Sequence, residues 1–203
     1  GWLQTFPAQR KTKHEVTLAF QRYMGNQKPK YVYTDGSGEF VESMKSLEWP
    51  HDTSTPHRPQ TNGVAERSVR AVKEGTSCAL AQSGLNVEWW PEAQTCFSFL
   101  KNITINRKQG KTPYEARFGR KFKGPVIPFG AEVTYKPPDT QDQRAHKFGT
   151  KVMSGIFAGY HQIVGGGWSG DIYVIDWDQL SHADHSRDVY LKRLKHKEFN
   201  VVS

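Results

Sequence analysis

Residues 54–73, STPHRPQTNGVAERSVRAVK, limit what this chain can fold into more tightly than any other stretch. Pro56 and Pro59 lack a backbone N–H and push the residues before them out of the helical region, so the segment up to Gln60 must be extended. A helix can begin only after that. Asn62 or Gly63 is the expected N-cap, because an Asn side chain can accept from one of the first unpaired helical N–H groups. Glu66 then falls in the opening turn. Counting about 100° per residue, Arg70, Lys73 and Ser77 lie within about 40° of it, and Ala65, Val69, Val72, Thr76 and Leu80 gather on the adjoining flank. The flank should pack on the body. The neighbouring ridge carries a carboxylate in line with two cations, which reads either as an i, i+4 ion pair of minor energetic value or as part of a site.

Upstream, KYVYTDGSGEF favours the site. Residues 31–34 are strand formers, followed by Asp35 and the glycine-flexed turn Gly36, Ser37, Gly38. An acid just past a strand end is exposed and held in place by the sheet, as a metal ligand must be. Thirty-one positions separate it from the helix-borne Glu66.

TDGSGEF followed by STPHRPQTNGVAER resembles the catalytic core of retroviral and retrotransposon integrases, polynucleotidyl transferases of the ribonuclease H-like fold. WWPEAQTCFSFLKN, GKTPYEARFGRK, PFGAEV, GIFAGY and HSRDVYL resemble, in order, blocks of the copia-type branch. Several blocks in register are more specific than one short motif. The resemblance implies an α/β fold, a ribonuclease H-like mixed sheet flanked by helices, with a small all-β module after it. It matches Asp35 and Glu66 to the second and third members of a two-aspartate, one-glutamate set, and so implies catalytic and metal-ligating roles for both, with Mg²⁺ or Mn²⁺ as cofactor.

The implied activity is insertion of retroelement DNA into target DNA, by metal-dependent 3′-end processing followed by strand transfer. Arg67, Arg70 and Lys73 would neutralise phosphates, and Arg58 and Asn62 would approach the DNA from the loop. DNA and further copies of the chain are the expected partners and the nucleus the expected location. In the family the first aspartate lies on a strand preceding the segment that GWLQTFP resembles, whereas residues 1–34 contain no Asp and a single acid, Glu15. The expectation is an N-terminally truncated polyprotein fragment, catalytically impaired as written. The alternative is a catalytically dead DNA-binding remnant of a retroelement.

The 203 residues suit one or two domains, and a net charge of +8 makes a polyanionic partner plausible. No apolar run approaches membrane-spanning length. Cys78 and Cys96 read as reduced core residues, and no Cys/His cluster has zinc spacing. Residues 1–7 read as a short strand and 13–24 as a helix with the apolar stripe Val16, Ala19, Phe20, Tyr23 and a stop at Gly25. After a break at Ser83 and Gly84, Trp89, Trp90 and Pro91 open a helix whose expected buried side is Ala93, Phe97, Leu100 and Ile103.

From Lys101 to Lys123 eight basic residues face one acid, Glu115. This marks a candidate phosphate-binding surface, with Arg107, Lys108 and Lys111 as its DNA contacts. Beyond Lys123 prolines end the helical pattern, and AEVTY, SGIFAGY, DIYVIDW and RDVYLKRL read as strands divided by turns. The expected division is a catalytic core at 1–123 and a barrel-like module at 124–203.

Overall fold

The computed structural model describes residues 1–55, 63–104, 110–136 and 152–202. It is a mixed α/β structure: a helical half carrying one short parallel strand pair, then a five-stranded antiparallel sheet. Helix α1 (Lys13–Met24) is capped by Thr12, whose hydroxyl accepts from Glu15 N, and closes on Gly25 at φ 65°, where a Cβ would be strained. Strand β1 (Val32–Thr34) pairs in parallel with β2 (His51–Thr53), Tyr33 opposite Asp52. Helix α2 (Gly38–Leu47) is the crossover between them, as parallel pairing demands. Reading the two glycines as a turn hid this helix: Ser37 is in fact its N-cap residue. Phe20 of α1 meets Phe40 and Trp49 edge-on at 5.9 and 6.2 Å, and Met44 is buried within the same α1–α2 unit.

The strand expected at residues 1–7 does not form. These residues run as an extended strap along a helix, with Leu3 exchanging two hydrogen bonds with the Asn102 side chain and the Thr5 hydroxyl 3.1 Å from that of Ser98. The Asn102 side chain thus takes both backbone groups of Leu3, the bonds a neighbouring strand would otherwise have made there.

Helix α3 (Gly63–Ser83) packs on α4 (Trp90–Ile103). A Cβ on Gly75 would lie 2.1 Å from the Phe97 ring, which explains a glycine in the middle of a long helix. The buried line of α4 is Ala93, Cys96, Phe99 and Ile103; Phe97 and Leu100, expected there, are half-buried, because Phe97 turns toward α3. Cys78 is exposed on α3, contrary to its reading as a core residue, and only Cys96 is buried. Of the two tryptophans, Trp89 is buried and Trp90 is 40% exposed.

After α5 (Pro113–Phe118) come β3 (Glu132–Tyr135), β4 (Met153–Gln162), β5 (Trp168–Asp176), α6 (Trp177–His182), β6 (Leu191–Lys195) and β7 (Phe199–Val201). Their order in the sheet is β6-β5-β4-β3-β7. Laid flat, the two edge strands would be about 19 Å apart, yet three residues join them, reaching at most about 14 Å. The turn is tighter still, Glu198 N donating to Lys195 O at 2.9 Å. The sheet must curl until its edges approach. Gly159, at φ 138°, takes a backbone conformation that a side chain would strain, beside an irregularity in the β4–β5 register and facing Cys96 of α4. One apolar cluster then runs across residue 123, through Phe99, Tyr114, Phe122, Tyr160 and Trp168.

Candidate metal and nucleic-acid site

Two acids far apart in sequence face one space. Asp35 stands just past β1, exposed, with Oδ1 accepting from Ser37 N at 3.2 Å; this is an Asx turn that leads the chain into α2. Its second oxygen has no protein hydrogen bond among the described residues. Glu66 lies in the first turn of α3, also exposed. Both line a cavity of about 940 Å³, walled by Phe20, Tyr33, Thr34 and Phe40 on one side and by Val64, Ala65, Val69, Arg70, Lys73 and Glu74 on the other. No ion pair joins Glu66 to Arg70 among the described residues, so the ion-pair reading of the helix face does not hold.

The cavity carries three carboxylates, Asp35, Glu66 and Glu74, against two cations, Arg70 and Lys73. An otherwise basic chain thus concentrates acid here, an arrangement that attracts a cation rather than a bare phosphate. Mg²⁺ is commonly held by one or two carboxylates, with water and substrate phosphate completing its shell, and Asp35 and Glu66 are the carboxylates that two different elements bring to this cavity. No group of three or more His, Cys, Asp or Glu residues that could hold a metal occurs among the described residues.

The remaining site residues separate. Arg70 and Lys73 are exposed at the cavity. Arg67 turns back along its helix, Nε donating to Gly63 O at 3.1 Å. Lys111 is exposed just ahead of α5 and does not line the acid cavity. Arg58, Asn62, Arg107 and Lys108 lie outside the described residues. Arg117, counted in the basic run, is not available to phosphate: it is stacked among rings and bonded to two carbonyls.

Sequence reasoning missed Glu74, two turns beyond Glu66 and recoverable by extending the same helical count. It also missed Thr34, whose hydroxyl donates to Asp35 O at 2.7 Å and lies 2.8 Å from His51 Nε2. Phe20 and Phe40 carry no sequence signal for a site; they become its wall because α2 folds back on α1. Lys11 approaches the same wall, with Nζ 4.5 Å from the centre of the Phe40 ring and donating to Ser37 Oγ at 2.8 Å.

No protein-family model matches the chain. It is 26% identical over 167 residues, 78% of its length, to the retrovirus-related Pol polyprotein from transposon RE1 of Arabidopsis thaliana, and 28% identical over 152 residues, 73% of its length, to that from transposon RE2. A Gag-Pol polyprotein of baboon endogenous virus is 26% identical over 131 residues, covering 59% of the chain and 7% of that relative. The chain spans about a tenth of the length of the plant relatives, 11% and 10%. Among solved structures, the catalytic core domain of BIV integrase aligns with 56% of this chain and 74% of that one at 22% identity and a TM-score of 0.41. A chain of the simian T-cell lymphotropic virus intasome in complex with PP2A regulatory subunit B56 gamma covers 97% of this chain and 66% of its own length, at 16% identity and a TM-score of 0.45. The chain is therefore related in sequence to the Pol polyproteins of retrotransposons and endogenous retroviruses.

Proposed function

We propose that this relative of retroelement Pol polyproteins is an integrase-superfamily fragment whose acid cavity holds a divalent cation against the phosphodiester backbone of DNA. The observation that carries the reading is that Asp35 and Glu66, on unrelated elements, line one cavity. Their carboxylates would hold Mg²⁺ or Mn²⁺. When bound, that ion supplies charge stabilisation at the phosphate and activation of an attacking hydroxyl or water. Asp35 is fixed at the strand end by its bond from Ser37 N, so one oxygen is already committed and the other would hold the cation. Arg70 and Lys73, on the same wall as Glu66, orient flanking phosphates and keep the acidic cavity from repelling the polyanion.

The chemistry proposed is phosphodiester cleavage at an element end and transfer of the freed 3′-hydroxyl to target DNA, in the nucleus and within an oligomer. A second reading is favoured by the lack of a third ligand in the described site: DNA binding without catalysis. The test is Mn²⁺ titration followed by electron paramagnetic resonance, with a DNA duplex present and absent. Binding that disappears in both Asp35→Asn and Glu66→Gln supports the metal site, and Mn²⁺-dependent nicking lost in the same variants supports catalysis over the remnant. Metal binding unchanged in either variant refutes the site.

A further inference from the structure

Arg117 of α5 stands where three parts of the molecule meet. Its Nη2 donates to Tyr23 O at 2.6 Å and its Nε to Gly165 O at 3.1 Å. The guanidinium lies 4.7 Å from the centre of the Tyr23 ring, 5.1 Å from Trp2 and 5.9 Å from Phe118. No carboxylate pairs with it among the described residues; carbonyl oxygens and ring faces hold the charge, a setting that a planar, weakly hydrated guanidinium fits and an ammonium does not. Gly165 N, in the turn between β4 and β5, donates to Arg22 O at 2.7 Å and closes the same joint. Two carbonyls at the C-terminal end of α1 are therefore held by α5 and by the sheet.

The joint matters because the two acids belong to different packing units. Asp35 follows β1, in the unit of α1, β1, α2 and β2, which has its own small core around Phe20, Phe40 and Trp49. Glu66 belongs to α3, which is seated on α4 through Val72, Thr76 and the Gly75–Phe97 approach. Between the acids lies open space of about 940 Å³, and on its α3 wall Val64 and Val69 are 73% and 54% exposed. Close apolar packing across the cavity does not set the separation. Among the described residues, the hydrogen bonds that cross from the Asp35 unit to the α5 and sheet body are those of Arg117 to Tyr23 O and Gly165 N to Arg22 O.

We infer that Arg117 is a positioning residue: by clamping the end of α1 to α5 and to the Gly165 turn, it sets the separation of Asp35 from Glu66. The consequence for metal binding rests on the function proposed above; the clamp itself does not.

Cys78 is exposed on α3 while Cys96 is buried, so a nitroxide reagent attaches to Cys78 in the native fold, and Lys28→Cys, exposed in the connection from α1 to β1, takes a second label. Dipolar electron paramagnetic resonance then reads the distance between the two units. In the otherwise native protein the distribution is a single narrow peak. Arg117→Met keeps the apolar stem and removes the fork, and it shifts or broadens that peak; Arg117→Lys restores the charge but not the planar fork and does not rescue it. Mn²⁺ affinity falls about tenfold in both, as for loss of a residue that orients ligands. An unchanged distribution in folded Arg117→Met overturns the inference. Should that variant not fold, Tyr23→Leu, which removes the ring beneath the guanidinium and leaves the carbonyl, is read by the same criterion. If the parent protein binds no Mn²⁺, the metal-site reading fails while the distance measurement still decides the clamp.

Discussion

The curled sheet with α4 and the acid-bearing unit are built to different standards. Val133, Tyr135, Phe157, Ile172, Val174 and Ile175 have essentially no exposed surface, and aromatic rings link α4 and α5 to β4 in a continuous chain. Around the acids, Tyr31, Tyr33, Val64 and Val69 are 56%, 44%, 73% and 54% exposed, and a two-stranded pair of three residues each supports the Asp35 turn. Stability resides in one half and the candidate chemistry in the other. Regions with few buried apolar contacts open at low free energy, which suits the surface proposed above to admit DNA and a cation.

A pair of truncations puts the heaviest load on this contrast. Phe157→Ala, in the sheet, should cost about 3–5 kcal/mol in denaturant unfolding, whereas Val69→Ala at the cavity should change stability by no more than about 0.5 kcal/mol. Equal costs would erase the distinction between the two halves. A smaller effect is expected at the buried carboxylate of Asp176, which accepts from the Tyr135 hydroxyl and, at 3.0 Å, from Gln179 N. Tyr135→Phe removes that donor from a residue 1% exposed and should cost about 1–3 kcal/mol. No loss there would show that the sheet tolerates polar defects as the cavity does.

At the acids the sign differs. Asp35→Asn and Glu66→Gln should abolish Mn²⁺ binding while shifting the unfolding midpoint little or slightly upward, because removing one negative charge from an acidic cluster relieves repulsion. A clear drop in midpoint would mean that these acids serve the fold.

The smallest effect is a pH dependence. Glu88 lies before α4, and its carboxyl is held below the ordinary glutamate range, first by the Ser186 N–H and then by His185. A depressed folded value means that its contribution is present above the unfolded value and is lost as pH falls through the folded one. Stability of the native chain should thus fall off more steeply than that of Glu88→Gln below the ordinary glutamate range, a difference read by thermal melts across the acid limb. Superimposable acid limbs would remove this contact from the account.

Much of the helical layout is legible in the amino-acid pattern. Gly25 and Gly84 stop helices, and the 3.6-residue spacing marks α1, α3 and α4 near their observed bounds, while the extended segment expected at Pro56 and Pro59 lies outside the described residues. Which flank is buried does not follow from that pattern. Ala65 and Val69 look like core residues of α3, yet they are exposed at the cavity, and the buried side chains of that helix are Val72 and Thr76. Phe97 points to α3 because Gly75 leaves room for its ring. Residues 1–7 have a strand's alternation, but Asn102 takes the hydrogen bonds a neighbouring strand would have used. Arg117 reads as one more surface charge, and only the meeting of Trp2, Tyr23 and Gly165, at positions remote in the chain, makes it a joint.

Residue order alone fixes that strands divided by turns follow the helices, and that an acid follows a strand while another opens a helix. Those properties are local, set by backbone stereochemistry and by the period of apolar side chains. Only the folded arrangement brings the two acids to one cavity, adds Glu74 to them and curls the sheet onto α4. Each of these depends on which distant surfaces exclude water together, and burial is a property of the assembled chain that no single segment encodes.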